Sequence, residues 1–292
     1  MRIRRELEIQ VKTAQQVAHM RAAGLVVARA LSAAAEVVGP GVSTADLDAA
    51  AEAEIRAAGA VPSFKGYHGF PATICASVND EIVHGIPSVD RKLRAGDVVS
   101  IDCGAIVEGW HADAALTVGV GVISAELSQL IAACERALWH GLAQARAGGR
   151  LSDISSAVER SARGSGGYGI VEDYVGHGIG SEMHMDPPVP NLGEPGQGPV
   201  LEEGMALAVE PLLVLGGPDT VLLDDGWTVV SADGTPSAHF EHTVAITADG
   251  PWVLTAPDGG RDWFSRLAQA AAGPAGGPAG SGLADSAARP QA

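Results

Sequence analysis

Apolar positions recur with helical spacing across residues 13–38, which predicts a long helix stopped by Gly39-Pro40-Gly41. Ser43-x-x-Asp46 reads as a capping box with Asp in the Glu place, opening a second helix that ends near Gly59. The same order returns later. A helical pattern covers 124–146, Gly148-Gly149 breaks it, and Ser152-Asp153 opens another helix to about Arg163. Leu47 and Ile154 take equivalent places, so the chain reads as two related halves. Strand patterns lie between the helices. Residues 97–107 and 110–118 flank Glu108-Gly109, a two-residue hairpin turn. Residues 205–210 and 239–246 read as further strands, and Pro211 ends the first of them. From about Ala270 the chain is mostly Ala, Gly, Pro and Ser, without a periodic apolar face. One domain over 1–270 and a disordered tail over 271–292 are therefore expected, with the tail dispensable for stability and activity.

Composition narrows the function classes. The 292 residues are 46% hydrophobic, ample for a core, and carry a net charge of -16. That charge argues against a nucleic-acid surface, which needs clustered Lys and Arg. It supplies carboxylates for hard or borderline cations, and compositional drift explains it equally well. Three cysteines, with no CxxC spacing, fit a reduced, cytoplasmic setting. The opening MRIRRELEIQ lacks the apolar region of a signal peptide, and no stretch of 18 apolar residues predicts a membrane span.

The candidate chemistry rests on Asp102, Asp113, His177, Glu210 and Glu241, each set in or beside an otherwise apolar segment. Burying a carboxylate there is costly unless it is paired or holds a metal. With Glu108-Gly109 as the turn, Gly104 faces Asp113 and Asp102 faces Ala115. The two aspartates are then diagonal neighbours on one face, roughly 7–8 Å apart. Two solvated aspartates on a polar hairpin face fit that pair equally well. Glu210 and Glu241 read singly as a strand-end and an edge-strand residue; on its strand Glu241 alternates with His239 and Thr243. His177, between glycines that allow close backbone approach, His84 and His184 are placed in Gly- or Pro-flanked loops. Four carboxylates and an imidazole suit Mn, Fe, Co or Zn, and favour two ions over one. Cys103 points to the opposite strand face from Asp102, as a core residue.

Taken together, KTAQQVAHMRAAG (12–24), GYHGFPATICASVNDEIVHGIP (66–87), GDVVSIDCGAIVEGWHADAALTVGVG (96–121), VGHGIGSEMHMDPPVPN (175–191), EEGMALAVEP (202–211) and SAHFEHTVAIT (237–247) resemble the type I methionine aminopeptidase family. The resemblance covers about 9–255. It implies an α+β pita-bread fold: two pseudo-symmetric halves, with a curved antiparallel sheet flanked by helices. It implies removal of the initiator methionine from nascent chains ahead of a small second residue. Two divalent ions (Co, Mn, Fe or Zn) would serve, with Asp102 on one, Asp113 and Glu241 bridging, and His177 and Glu210 completing the other. A water held there would attack the scissile carbonyl, Glu210 would shuttle the proton, and His84 and His184 would contact substrate and intermediate. Tyr67, Phe70, Cys75, Met183 and Trp227 match the methionine pocket; without the motifs they read as core packing. Asn79, Glu81 and Ser237 match a Na or K site of backbone carbonyls. Met183 stands where an aromatic residue is common, His239 where Gln is common and Phe64 where some members have Cys; none removes a ligand. A monomer that meets the ribosome transiently, with no nucleic-acid site and no membrane contact, is the implied setting.

Two other readings compete. A prolidase-type relative would carry a separate amino-terminal domain, for which there is no room before Thr13, and an Arg near the last Glu ligand, where this chain has Ser237-Ala238-His239-Phe240-Glu241. A non-enzymatic binding module of the same fold would have lost metal ligands, and all five positions are kept.

Overall fold

The structure, a computed structural model, describes residues 7–272. Helix α1 (Ala14–Glu36) starts at a full capping box: the Gln16 N–H donates to Thr13 Oγ1, and the Thr13 N–H to Gln16 Oε1. Helix α2 (Thr44–Ala57) starts at the Ser43/Asp46 box read from the sequence. Helix α3 is Ala125–Leu142, capped by Ser124, and ends four residues earlier than the pattern suggests. Its last carbonyls are taken by one more helical bond, the Ala143 N–H to Trp139, and by a tight turn, the Gln144 N–H to Gly141, and the chain then bends away at Gly148. Helix α4 is Leu151–Ser165. Its cap is Arg150 rather than Ser152, because the Asp153 carboxylate accepts the Arg150 N–H at 2.8 Å. That shift strengthens the internal repeat: Asp46 and Asp153 hold the same cap position, and Leu47 and Ile154, one residue on, are both fully buried. A last helix, α5 (Arg261–Ala272), forms where the sequence pattern predicts no element. It takes in the first two residues of the expected tail; the rest of that tail lies outside the described residues.

The helices cover a curved sheet of nine antiparallel strands. Along its path lie Val61–Pro62, Val98–Val107, Trp110–Gly119, Glu241–Thr247, Ala206–Val209, Gly176–Gly178 and Met185–Val189. Ile74–Val78 and Gly250–Val253 pair beside this path. One apolar core joins α1 and α2 to the first strands, through Val27, Leu47, Ile55, Ile101 and the buried Cys103. A second joins α3 and α4 to the later strands, through Leu138, Ile154, Leu207 and Val244. Leu116 packs against both. This is the two-halved α+β architecture expected from the sequence. No helix among the described residues is long and apolar enough to cross a membrane.

The strand expected over 239–246 is two strands. Ser237–His239 pairs with Leu212–Val214 in a small three-stranded sheet, whereas Glu241–Thr247 lies inside the large one. The neighbouring chain breaks at the same level, between Ala206–Val209 and Leu212–Val214. Pro211 has no N–H to continue a ladder, and Phe240 turns into the α3 core, so both chains step together from one sheet to the other. Glu210 and Glu241 sit at that step. Glu241 is thus on an interior strand rather than an edge.

Candidate metal centre

The hairpin turn determines where the aspartates fall. Glu108 and Gly109 both have positive φ (51° and 77°), as a two-residue turn matching the twist of its strands requires. The register follows without a bulge: Val107 opposite Trp110, Gly104 opposite Asp113, Asp102 opposite Ala115. The next strand places Glu241 opposite Ala115. Beyond His242 those strands part, and Thr243 bridges the gap. The Asp113 N–H donates to Thr243 Oγ1 (2.9 Å) and that hydroxyl donates to the Asp113 carbonyl (2.8 Å). Asp113 is only 3% exposed, so it is not a solvated surface residue.

His177 lies on a strand rather than in a loop, paired with Ala208. Its flanking glycines serve close approach. A Cβ on Gly176 would run into the Ala208 carbonyl, and one on Gly178 into the Asp186 carbonyl. Gly178→Ala is therefore expected to cost about 2 kcal/mol, within the range for overpacking. Urea unfolding monitored by circular dichroism checks this; an unchanged midpoint would contradict it. The His177 Nδ1 donates to the Gly178 carbonyl (3.0 Å). That holds the proton on Nδ1 and turns the Nε2 lone pair toward Glu210 Oε1, 3.7 Å away.

A lone pair facing a carboxylate oxygen has no attraction without a cation between them. The same holds across the cluster. Asp113, His177 and Glu241 offer ligand atoms within 4.8 Å of one another, as do Glu210, His239 and Glu241, so the two sets share Glu241. Asp102 Oδ1, Asp113 Oδ1, Glu241 Oε1 and His239 Nε2 are buried with no hydrogen-bond partner among the described residues. Burial, then Asp113 and Glu210, push the Asp102 carboxyl far above the usual carboxylate range. Burial lifts Asp113 to about 7. Burial first and neighbouring carboxylates second raise Glu210 and Glu241 strongly. Burial lowers His177 to about 3, which keeps its ring neutral. A proton or a cation must offset this charge, and neutral imidazole with carboxylate is a donor set that fits a borderline divalent ion.

A cavity of about 310 Å³ opens from these groups. Phe64, Phe70, Cys75 and Met183 form a buried apolar cluster at its side, with Tyr67 and Trp227 packed against it. Phe70 meets Trp227 edge-on at 5.1 Å. His84 lines the same cavity with φ 60°, a strained conformation for a non-glycine residue. His184 also lines it, its ring 4.3 Å from His177 and its Nδ1 bonded to the Tyr67 hydroxyl at 2.9 Å. Burial lowers both rings, His84 to about 4. His68, not singled out from the sequence, lines the cavity too. Its motif segment was visible, but nothing in the local pattern separates it from a turn residue. Asn79, Glu81 and Ser237 meet apart from the cavity: the Ser237 hydroxyl donates to the Asn79 carbonyl (3.3 Å) and the Glu81 carbonyl (3.1 Å). The Glu81 carboxylate itself is taken by the Val78 N–H (2.7 Å) and by Arg91 (3.3 Å).

Comparison with known proteins gives a consistent picture. The model of metallopeptidase family M24 matches residues 18–248. Methionine aminopeptidase 1 of Mycobacterium tuberculosis is 51% identical over 259 residues, covering 87% of this chain and 97% of that protein. Methionine aminopeptidase of Clostridium acetobutylicum is 49% identical over 84% of this chain and 98% of its own. The crystal structure of methionine aminopeptidase from Thermotoga maritima superposes with a TM-score of 0.83 at 39% identity, covering 85% and 99%. A prolidase from Pyrococcus furiosus shares the fold, with a TM-score of 0.67 at 23% identity over 84% of this chain and 65% of its own.

Proposed function

This chain belongs to metallopeptidase family M24, and from that premise we propose that it is a methionine aminopeptidase that removes the initiator methionine from peptide chains with a small second residue. The observation that carries the reading is the pair of ligand sets sharing Glu241, set directly beside a pocket of aromatic rings and sulfur. We assign Asp102, Asp113, His177, Glu210 and Glu241 as the ligands of two divalent ions, with Asp113 and Glu241 common to both. Divalent ions in such a pair lower the pKa of a water and polarise a carbonyl.

The remaining steps belong to the protein. Phe70, Cys75, Met183, Trp227 and Tyr67 receive the methionine side chain, because a thioether packs well against aromatic edges and other sulfur atoms. This seats the first peptide bond over the carboxylates. Glu210 takes the proton of the attacking water and passes it to the leaving amine. His84 and His184 hydrogen-bond the scissile carbonyl oxygen, and hold it as its charge grows. Both act as neutral donors near pH 7, since burial keeps their pKa low. The Tyr67 hydroxyl lies 2.9 Å from His184 Nδ1; with that hydroxyl as the donor, the imidazole proton would sit on Nε2, free to donate to substrate. Asn79, Glu81 and Ser237, where the Asn79 and Glu81 carbonyls meet at the Ser237 hydroxyl, complete the proposal as a Na or K site.

The test is release of methionine from Met-Ala and Met-Gly peptides after loading with Mn, Co, Fe or Zn, beside a panel of Xaa-Pro peptides. Release from the Met peptides alone is expected. Cleavage of Xaa-Pro peptides with none of Met-Ala would sink the proposal in favour of the prolidase reading.

A further inference from the structure

His239 is the one buried imidazole at the carboxylate cluster outside the five assigned ligands. It is 2% exposed, and its Nε2 has no hydrogen-bond partner among the described residues. That atom lies 3.8 Å from Glu210 Oε2 and 3.9 Å from Glu241 Oε2. Both separations are too long for a hydrogen bond. They suit donors that share an ion: atoms about 2.0–2.2 Å from a common centre stand roughly 3–4 Å apart. The Glu210 carboxylate consequently lies between two imidazoles, with His177 facing Oε1 and His239 facing Oε2.

The backbone of His239 is held in place for this. Its N–H donates to Thr117 Oγ1 (2.8 Å), and that hydroxyl donates back to the His239 carbonyl (2.8 Å). Thr117 is bonded in turn to Ser100 (2.8 Å). On its other side His239 is in register with Leu212. A buried nitrogen on so fixed a backbone, aimed between two carboxylates and satisfied by neither, is expensive unless a cation completes it.

We infer that His239 is a further metal ligand of this centre, its Nε2 joining Glu210 and Glu241 around one divalent ion. The inference rests on the metal-dependent reading above. A second imidazole shifts the ion's surroundings toward nitrogen, which favours Co, Fe or Zn over the harder Mn.

The experiment uses the full chain, stripped by chelation and titrated with Co(II) in a calorimeter, as wild type and as His239→Gln, an amide of similar reach without the imidazole lone pair. In the variant one Co(II) affinity is expected to fall ten- to a hundred-fold, with a changed visible Co(II) spectrum and a smaller loss for Mn(II). Equal affinities and spectra in the two proteins overturn the ligand role. Wild type alone gives a second readout, independent of how the variant folds. Its Co(II) form should show two strongly shifted imidazole N–H proton resonances in NMR, from His177 and His239; one resonance overturns the inference. Methionine release is assayed on the same samples. Co(II)-loaded wild type that releases no methionine would refute the aminopeptidase reading while the binding results stand. Intact release with unchanged Co(II) binding in the variant would refute the role of His239 alone.

Discussion

Replacing Asp113 by Asn, or Glu241 by Gln, is expected to lower kcat/KM for Met-Ala-Ser about a thousandfold, equivalent to roughly 4 kcal/mol of transition-state stabilisation. Both residues sit where the register brings three strands together: Asp113 beside Gly104, and Glu241 opposite Ala115. Each is buried, at 3% and 2% exposure, so neither amide gains compensating contact with water. The amides keep the size and the packing. They lose the charge that two ions would share, and the amide nitrogen, with its lone pair delocalised into the carbonyl, cannot take the place of a carboxylate oxygen on a cation. Calorimetric metal titration alongside the kinetics separates causes. Loss of at least one bound ion in step with activity is expected. Near wild-type turnover at saturating metal would remove Asp113 and Glu241 from the bridging role.

Adding Co(II) or Mn(II) to the protein stripped of metal is expected to raise its stability, and to raise it more at pH 7.5 than at pH 5, because the buried carboxylates lose their own contribution as pH rises from about 4 to above 7. The sign follows from the carboxylates. Burial raises Asp113 from 3.8 in the unfolded chain to about 7 in the folded one, and raises Asp102, Glu210 and Glu241 strongly. A group with a raised folded pKa contributes stability that is complete below its unfolded pKa and is lost as pH rises through the folded value. The folded state holds protons that the unfolded state has already released, at a cost on the order of a few kcal/mol by pH 7. Metal binds the deprotonated carboxylates, so its own contribution grows over the same range. Excess metal at about a thousand times its Kd adds roughly 4 kcal/mol, or on the order of 10 °C in thermal midpoint for a domain of this size. The measurement is the midpoint with chelator and with metal at pH 5 and pH 7.5. The gap between the two should widen at the higher pH; a gap that narrows would contradict buried, mutually repelling carboxylates.

Local chemistry made much of this legible. The capping box at Ser43, the turn at Glu108-Gly109 and the alternation of the hairpin act over a few residues, and the structure reproduces the full register from Val107 opposite Trp110 to Asp102 opposite Ala115. At α4 the pair Ser152-Asp153 imitates a cap in the sequence, while the Asp153 carboxylate serves Arg150, two residues before Ser152. The split at Phe240 has no signal of this local kind. Alternation along one strand cannot register that a neighbour, broken at Pro211, leaves the sheet at the same level. His177 looked like a loop residue because its glycines resemble a turn. Their purpose is the approach of the Ala208 carbonyl to Gly176 and of the Asp186 carbonyl to Gly178, contacts made only in the folded sheet.

The sequence by itself determined the helix pairs, the hairpin register and the residue types able to hold a cation, since each depends on spacing within one segment. Only the tertiary structure decided that five such residues and His239 share one buried point. Their convergence comes from strands distant in the chain stepping together between two sheets, and burial there removes the water that would otherwise screen one carboxylate from the next.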